Sequence, residues 1–163
     1  MAEITSIRTL SEEELCTYRK NVVEKYAEDL NKLSSMDLNE ARQMAQAEVD
    51  RLMPKDTSTK DHSMEIMIND LSEEVGFLWY GRRNISSMDV SFIYDLIVYD
   101  NHRRAGYGKK IIARLEEITK QQALDKIILN VFADNVPAVK LYEKMGFKAL
   151  GQEDGQIAMI KYL

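Results

Sequence analysis

Val90-Ser91-Phe92-Ile93-Tyr94-Asp95-Leu96-Ile97-Val98-Tyr99 runs on through Asp100-Asn101-His102 into Arg103-Arg104-Ala105-Gly106-Tyr107-Gly108. The first ten residues are β-branched or aromatic at most positions and contain no Gly or Pro. They suit a strand buried on both faces. From Lys109 the pattern changes, because Ile111, Ile112, Leu115 and Ile118 fall at helical spacing among Lys109, Lys110, Arg114, Glu116 and Glu117. Between strand and helix lie two arginines and two glycines. Such a loop offers bare backbone N–H groups at a helix N-terminus, where the dipole and the arginines favour a phosphate. It is not a P-loop, since Gly108-Lys109-Lys110 lacks the magnesium-binding hydroxyl, and a dinucleotide fingerprint would need glycine at Ile111.

Working outward, 163 residues at 18.8 kDa imply one domain, 1–163, with room for a proper core. A net charge of −5 does not favour nucleic acid or an anionic membrane surface, so an anionic ligand would depend on the patch Arg103, Arg104, Lys109 and Lys110. The one cysteine, Cys16, makes no internal disulfide, which fits a reducing compartment. With no basic, then apolar, leader and no run of about 18 apolar residues, the chain reads as cytoplasmic. His62 and His102 lack the neighbours of a metal site, so no metal is expected.

Upstream, Ile4–Leu10 suits a short edge strand. Ser11 and Glu14 form a capping box ahead of a helix whose apolar stripe is Leu15, Tyr18, Val22, Tyr26, Leu30 and Leu33. Asp37 and Glu40 suggest a second box. Leu38, Ala41, Met44, Ala45, Val49 and Leu52 then mark another amphipathic helix, stopped at Pro54. Strands are expected at 62–69 and 75–80, with 81–87 as the loop before the strand quoted first. His62, at a strand mouth, is a candidate proton carrier, although with no partner visible in the sequence a plain surface or hydrogen-bonded histidine is the favoured reading.

Downstream, Lys126–Phe132 reads as a buried strand, and strand–helix–strand of this length implies a parallel pair with a right-handed crossover. Asn135 suits an N-cap, Pro137 the first turn of a short helix and Gly146 its end. Phe147–Gly151 and Gln156–Tyr162 would be tail strands about the turn Glu153-Asp154-Gly155, and a homodimer through them is one option.

Two motifs in order carry a resemblance. Arg103-x-x-Gly106-x-Gly108 after a buried strand, then Asn135-x-x-Ala138-x-x-Leu141-Tyr142-x-Lys144-x-Gly146-Phe147, are together similar to the pattern of the GNAT superfamily of acetyl-CoA-dependent N-acetyltransferases. The likeness is strong from Phe92 to Phe147 and rests on element order before that. It implies an α/β GNAT fold: a mixed sheet of about seven strands with two N-terminal and two further helices, splayed between the strands ending near Val98 and Phe132. It implies acetyl-CoA as cosubstrate in the gap and an amine acceptor. Leu96, Ile97 and Val98 would face the pantetheine arm. Arg103, Arg104, Ala105, Gly106, Tyr107, Gly108 and Lys109 would hold the diphosphate. Asn135 would touch the arm, and Tyr142 would give a proton to the departing thiolate.

With a phenol near 10 and a thiol near 8.5, that transfer is uphill by roughly 2 kcal/mol. The base is open. Asn130 stands where some members carry glutamate, leaving a water relay through Asp95 or His62, or a substrate amine of low pKa. The competing reading is a GNAT-fold module that binds CoA without efficient catalysis. The acceptor would be set by 15–53 and 81–87.

Overall fold

A computed structural model describes residues 2–163. It shows β1 (Ile4–Thr9), α1 (Glu12–Ser34), α2 (Leu38–Leu52), β2 (Ser63–Asn69), β3 (Glu74–Ile85), β4 (Met88–Val98), α3 (Tyr107–Gln121), β5 (Lys126–Phe132), α4 (Val136–Lys144), β6 (Lys148–Glu153) and β7 (Gln156–Tyr162). The strands form one seven-stranded sheet in the order β1-β2-β3-β4-β5-β7-β6. β4 and β5 are parallel and the other neighbours antiparallel. The chain divides into two compact units, 10–60 and the remainder.

In the helical unit the Ser11 capping box is formed: Glu14 N–H donates to Ser11 Oγ at 3.1 Å, and Ser11 N–H to Glu14 Oε1 at 3.0 Å. Asp37 caps α2 through Asn39 N–H at 3.2 Å, one residue short of the Glu40 bond that a capping box needs. The apolar stripes also differ from expectation. α1 buries Leu15, Val23 and Ala27, while Tyr26 and Leu33 are exposed; α2 buries Ala41, Ala45 and Val49, leaving Met44 and Leu52 exposed. A buried row at four-residue spacing favours alanine over bulk, which the hydrophobic pattern alone does not reveal. Cys16 is exposed.

In the sheet unit, α3 lays Ile111, Ile112 and Leu115 on Met67, Val75, Leu78, Ile93, Ile127 and Leu129. Each of those fully buried aliphatic side chains contributes about 1.5–3 kcal/mol of transfer free energy. A smaller cluster, Val90, Phe92, Ile128 and Ile160, lies on the opposite face, as strand alternation requires. Two polar ties fix α3 laterally. Thr119 Oγ1 and Ser91 Oγ are hydrogen-bonded at 2.8 Å, and Arg114 reaches the buried Glu65 carboxylate at 3.2 Å, which also accepts from the Tyr80 hydroxyl at 3.1 Å.

The stretch 81–87, expected as a loop, is mostly strand. β3 continues to Ile85 and turns at Ser86-Ser87, both with positive φ, into β4 at Met88. Arg82 and Asn84 read as loop residues, yet both donate across the hairpin to Asp89, at 2.9 and 3.0 Å. Cross-strand partners decide such a segment more than propensity does. β1 and the tail strands appear as expected, with β6 shifted to Lys148–Glu153.

Candidate active site

β4 and β5 pair only at Ser91–Ile93 with Ile127–Leu129. Beyond that, each strand stays held by its outer neighbour: β4 by β3 as far as Gly76↔Val98, and β5 by β7 as far as Phe132↔Gln156. Their facing edges part. The cause lies in β4. Tyr80 pairs with Ile93 but Trp79 with Asp95, so Tyr94 is an extra residue, a β-bulge. The same slip lets Ile93 and Leu96, three apart, reach one core, which an even strand forbids. Burial changes at the same point: Val90–Ile93 are buried and Tyr94–Val98 only half so.

The bulge is pinned by rings. Trp79 stacks on Tyr94 at 4.5 Å and 17°, Phe92 meets Tyr94 edge-on at 4.9 Å, and Arg83 lies 4.7 Å over Phe92. Trp79 Nε1–H donates to His62 Nδ1 at 3.0 Å. That bond takes the one lone pair of the neutral imidazole, so His62 has no free nitrogen with which to accept a proton. Burial holds its pKa below the usual value; the Asp61 charge opposes this and Arg83 adds to it.

At the mouth of the gap, Tyr99 N–H bonds the Val75 carbonyl at 2.9 Å. Strand alternation turns the next amide, that of Val98, away from β3 and toward the gap. Arg103 closes over this end, donating from Nε to the Val98 carbonyl at 3.2 Å and pairing with Asp100 at 3.0 Å. Arg104 (φ 62) and Gly106 (φ 92) are both left-handed, which lets the chain reverse into α3. No side chain caps α3 at Gly106. Its first-turn N–H groups thus carry the positive end of the helix dipole without a protein partner side chain. A Cβ at Gly108 would come within 2.8 Å of Leu141, so glycine permits α3 and α4 to approach closely here.

α4 brings the second motif to the same gap. Asn135 Oδ1 accepts from Ala138 N–H at 3.4 Å as the N-cap. Tyr142 is buried, its ring edge-on to Phe147 at 5.6 Å. Burial, and then the charge of Asp95, push its pKa up to about 12. The fold thus brings Asp95 and Tyr142 into electrostatic contact, whereas His62 is held in the aromatic cluster. The bulge residue Tyr94 escaped sequence reading. Its only trace is the odd spacing of Ile93, Leu96 and Val98. Asn130 of β5 and Leu150, Gly151, Gln152, Glu153, Asp154, Gln156 and Ala158 of the β6–β7 hairpin line a groove of about 460 Å³.

A parallel pair that parts after a bulge leaves an open strand edge near a helix N-terminus that no side chain caps. A model of the Acetyltransferase (GNAT) family matches residues 24–147, and the chain belongs to that family. It is 29% identical over 136 residues to a protein described as uncharacterized N-acetyltransferase YycN of Bacillus subtilis, covering 83% of this chain and 87% of YycN. The crystal structure of YycN superposes with a TM-score of 0.74 at 27% identity, covering 91% of this chain and 96% of that one. The PaiA N-acetyltransferase of Thermoplasma acidophilum, solved with coenzyme A, shares the fold at a TM-score of 0.61 and 20% identity, over 97% and 98% of the chains. A probable spermine N(1)-acetyltransferase of Bacillus subtilis subsp. natto is 24% identical over 143 residues, 83% of this chain and 94% of its own. Among the described residues no helix is long and apolar enough to cross a membrane, and no group of three His, Cys, Asp or Glu could hold a metal ion.

Proposed function

We propose that the chain moves an acetyl group from acetyl-CoA to a primary amine of a small molecule or peptide by direct attack, with Tyr142 as general acid. The observation that supports this most is the parting of β4 from β5 after Ile93 and Leu129. Leu96, Ile97 and Val98 offer an open strand edge on which a pantetheine arm adds as a further strand. The loop Arg103–Lys109 surrounds a diphosphate with backbone N–H groups and two guanidinium groups. Bound there, acetyl-CoA supplies the acetyl group as an activated thioester. The Val98 N–H polarises the carbonyl, and Asn135 at the start of α4 contacts the arm.

Tyr142 stays protonated at every working pH, because its pKa is about 12. Against a thiol near 8.5, complete transfer of its proton is uphill by roughly 5 kcal/mol, not the roughly 2 of an unperturbed phenol. Its role is therefore first a hydrogen bond to the leaving sulfur, with the proton following as negative charge develops there. Deprotonating an alkylamine of pKa near 10.4 at pH 7 costs about 4–5 kcal/mol, an α-amine near 7.8 only about 1. With the His62 acceptor nitrogen engaged, Asp95 through water is the relay of choice. The groove beside Asn130 presents Glu153 and Asp154 and no cation, chemistry suited to an amine that carries positive charge. The likeness to a protein named for spermine acetylation points the same way.

Thiol release from acetyl-CoA, followed across spermine, other polyamines, amino acids and peptide N-termini, tests the proposal. Turnover with at least one cationic amine is expected. CoA uptake without turnover on any amine would favour a CoA-binding module, and no uptake at all would end the assignment.

A further inference from the structure

Asn69 ends β2 and is only 3% exposed, although asparagine at a turn is usually a surface residue. Every hydrogen-bonding position of its side chain is filled. Oδ1 accepts from the N–H groups of Leu71 at 3.0 Å and Glu73 at 2.9 Å, which shapes the β2–β3 turn. Nδ2 donates to the Glu73 carboxylate at 2.9 Å and to the Tyr107 hydroxyl at 3.2 Å. The Asn69 carbonyl also accepts from Thr5 Oγ1 of β1 at 2.9 Å. One buried amide therefore joins the sheet edge, a hairpin turn and the first residue of α3.

Tyr107 lies between Gly106 and Gly108 in the loop that the cofactor reading uses. Its ring is buried and meets His102 edge-on at 5.9 Å. Packing would be served as well by phenylalanine. The hydroxyl adds only the bond to Asn69. Nor would aspartate replace Asn69, because a carboxylate has no N–H to offer Glu73 or Tyr107.

We propose that Asn69 is a positioning residue for the diphosphate loop: through Tyr107 it fixes the direction in which the first-turn N–H groups of α3 point. Amide donors on a glycine-rich turn act by their orientation, and two left-handed residues beside them make that turn easy to deform. A buried amide with no spare hydrogen bond resists such deformation, since any swing of Tyr107 leaves one of its N–H groups unpaired.

The inference rests on the acetyl-CoA reading, and the test separates the two. CoA binding is measured by calorimetry, and kcat/KM with S-acetylpantetheine, a donor without the diphosphate, is measured beside it. Tyr107→Phe keeps the ring and removes the tie. Its CoA affinity is expected to fall about three- to tenfold, and kcat/KM with acetyl-CoA to fall by a larger factor than kcat/KM with S-acetylpantetheine. Asn69→Ala should lose at least as much, and the double variant no more than Asn69→Ala alone. Equal CoA affinity in Tyr107→Phe and the wild type, or equal losses with both donors, would overturn the inference. Failure of the wild-type chain to take up CoA would instead remove the acetyl-transfer reading, and this inference with it.

Discussion

Tyr142 and His62 show how much a side chain's chemistry depends on what surrounds it. The Tyr142 pKa is raised by burial and by Asp95, so the folded chain holds that proton more tightly than the unfolded chain does. Stability from this site is complete below pH 10 and is lost as pH rises toward 12, by up to about 2 kcal/mol. Thermal melts between pH 9 and 11.5 should fall less steeply in Tyr142→Phe than in the wild type; parallel curves would refute the buried phenol. The same variant should lose at least about tenfold in kcat, a larger factor than it loses in CoA affinity. His62 carries the opposite sign. Its pKa is lowered, so its contribution is complete above the unfolded value near 6.5 and disappears as pH falls through the folded value. Trp79 is the chain's one tryptophan and donates to the nitrogen that must be protonated. Its fluorescence should therefore titrate with a midpoint below 6.5, and a midpoint at or above 6.5 would contradict the burial that lowers the His62 pKa.

Among the elements, the Gly loop and the bulged β4 do the positioning. A Cβ at Gly106, where φ is 92, would lie 3.7 Å from the Ala2 Cβ, an ordinary contact, so the cost of Gly106→Ala is backbone strain and not collision. About 1–2 kcal/mol of stability should be lost, read from denaturant midpoints, together with CoA affinity. The bulge makes a sharper prediction. Deleting Tyr94 restores even alternation to β4 and removes the bend, so the chain should fold yet bind CoA at least about tenfold more weakly. Retained affinity would show that the gap does not depend on the bulge. Helices α3 and α4 were legible in the sequence, because their spacing, their glycines and Asn135 are local signals. The β3–β4 hairpin was not, since Arg82 and Asn84 become strand residues only when Asp89 lies opposite them.

At the scale of the molecule, a cofactor held along two strands and a helix terminus should stabilise the fold that forms them. Saturation at about a hundred times Kd is worth roughly 2.7 kcal/mol, or about 5–10 °C in Tm for a chain of this size. Scanning calorimetry with and without CoA checks it, and an unchanged Tm would speak against the gap as the binding place. By itself the sequence determined the order of elements, the glycine–arginine loop and the Asn135–Tyr142 face, because each is written in residues near one another along the chain. Only the tertiary structure decided that the expected parting of β4 from β5 begins after Ile93, that Asp95 lies close enough to raise Tyr142, and that Asn69 is tied to Tyr107. Those facts depend on pairing register and on contacts between distant segments, and a one-residue slip in a strand leaves no mark in composition or periodicity strong enough to read in advance.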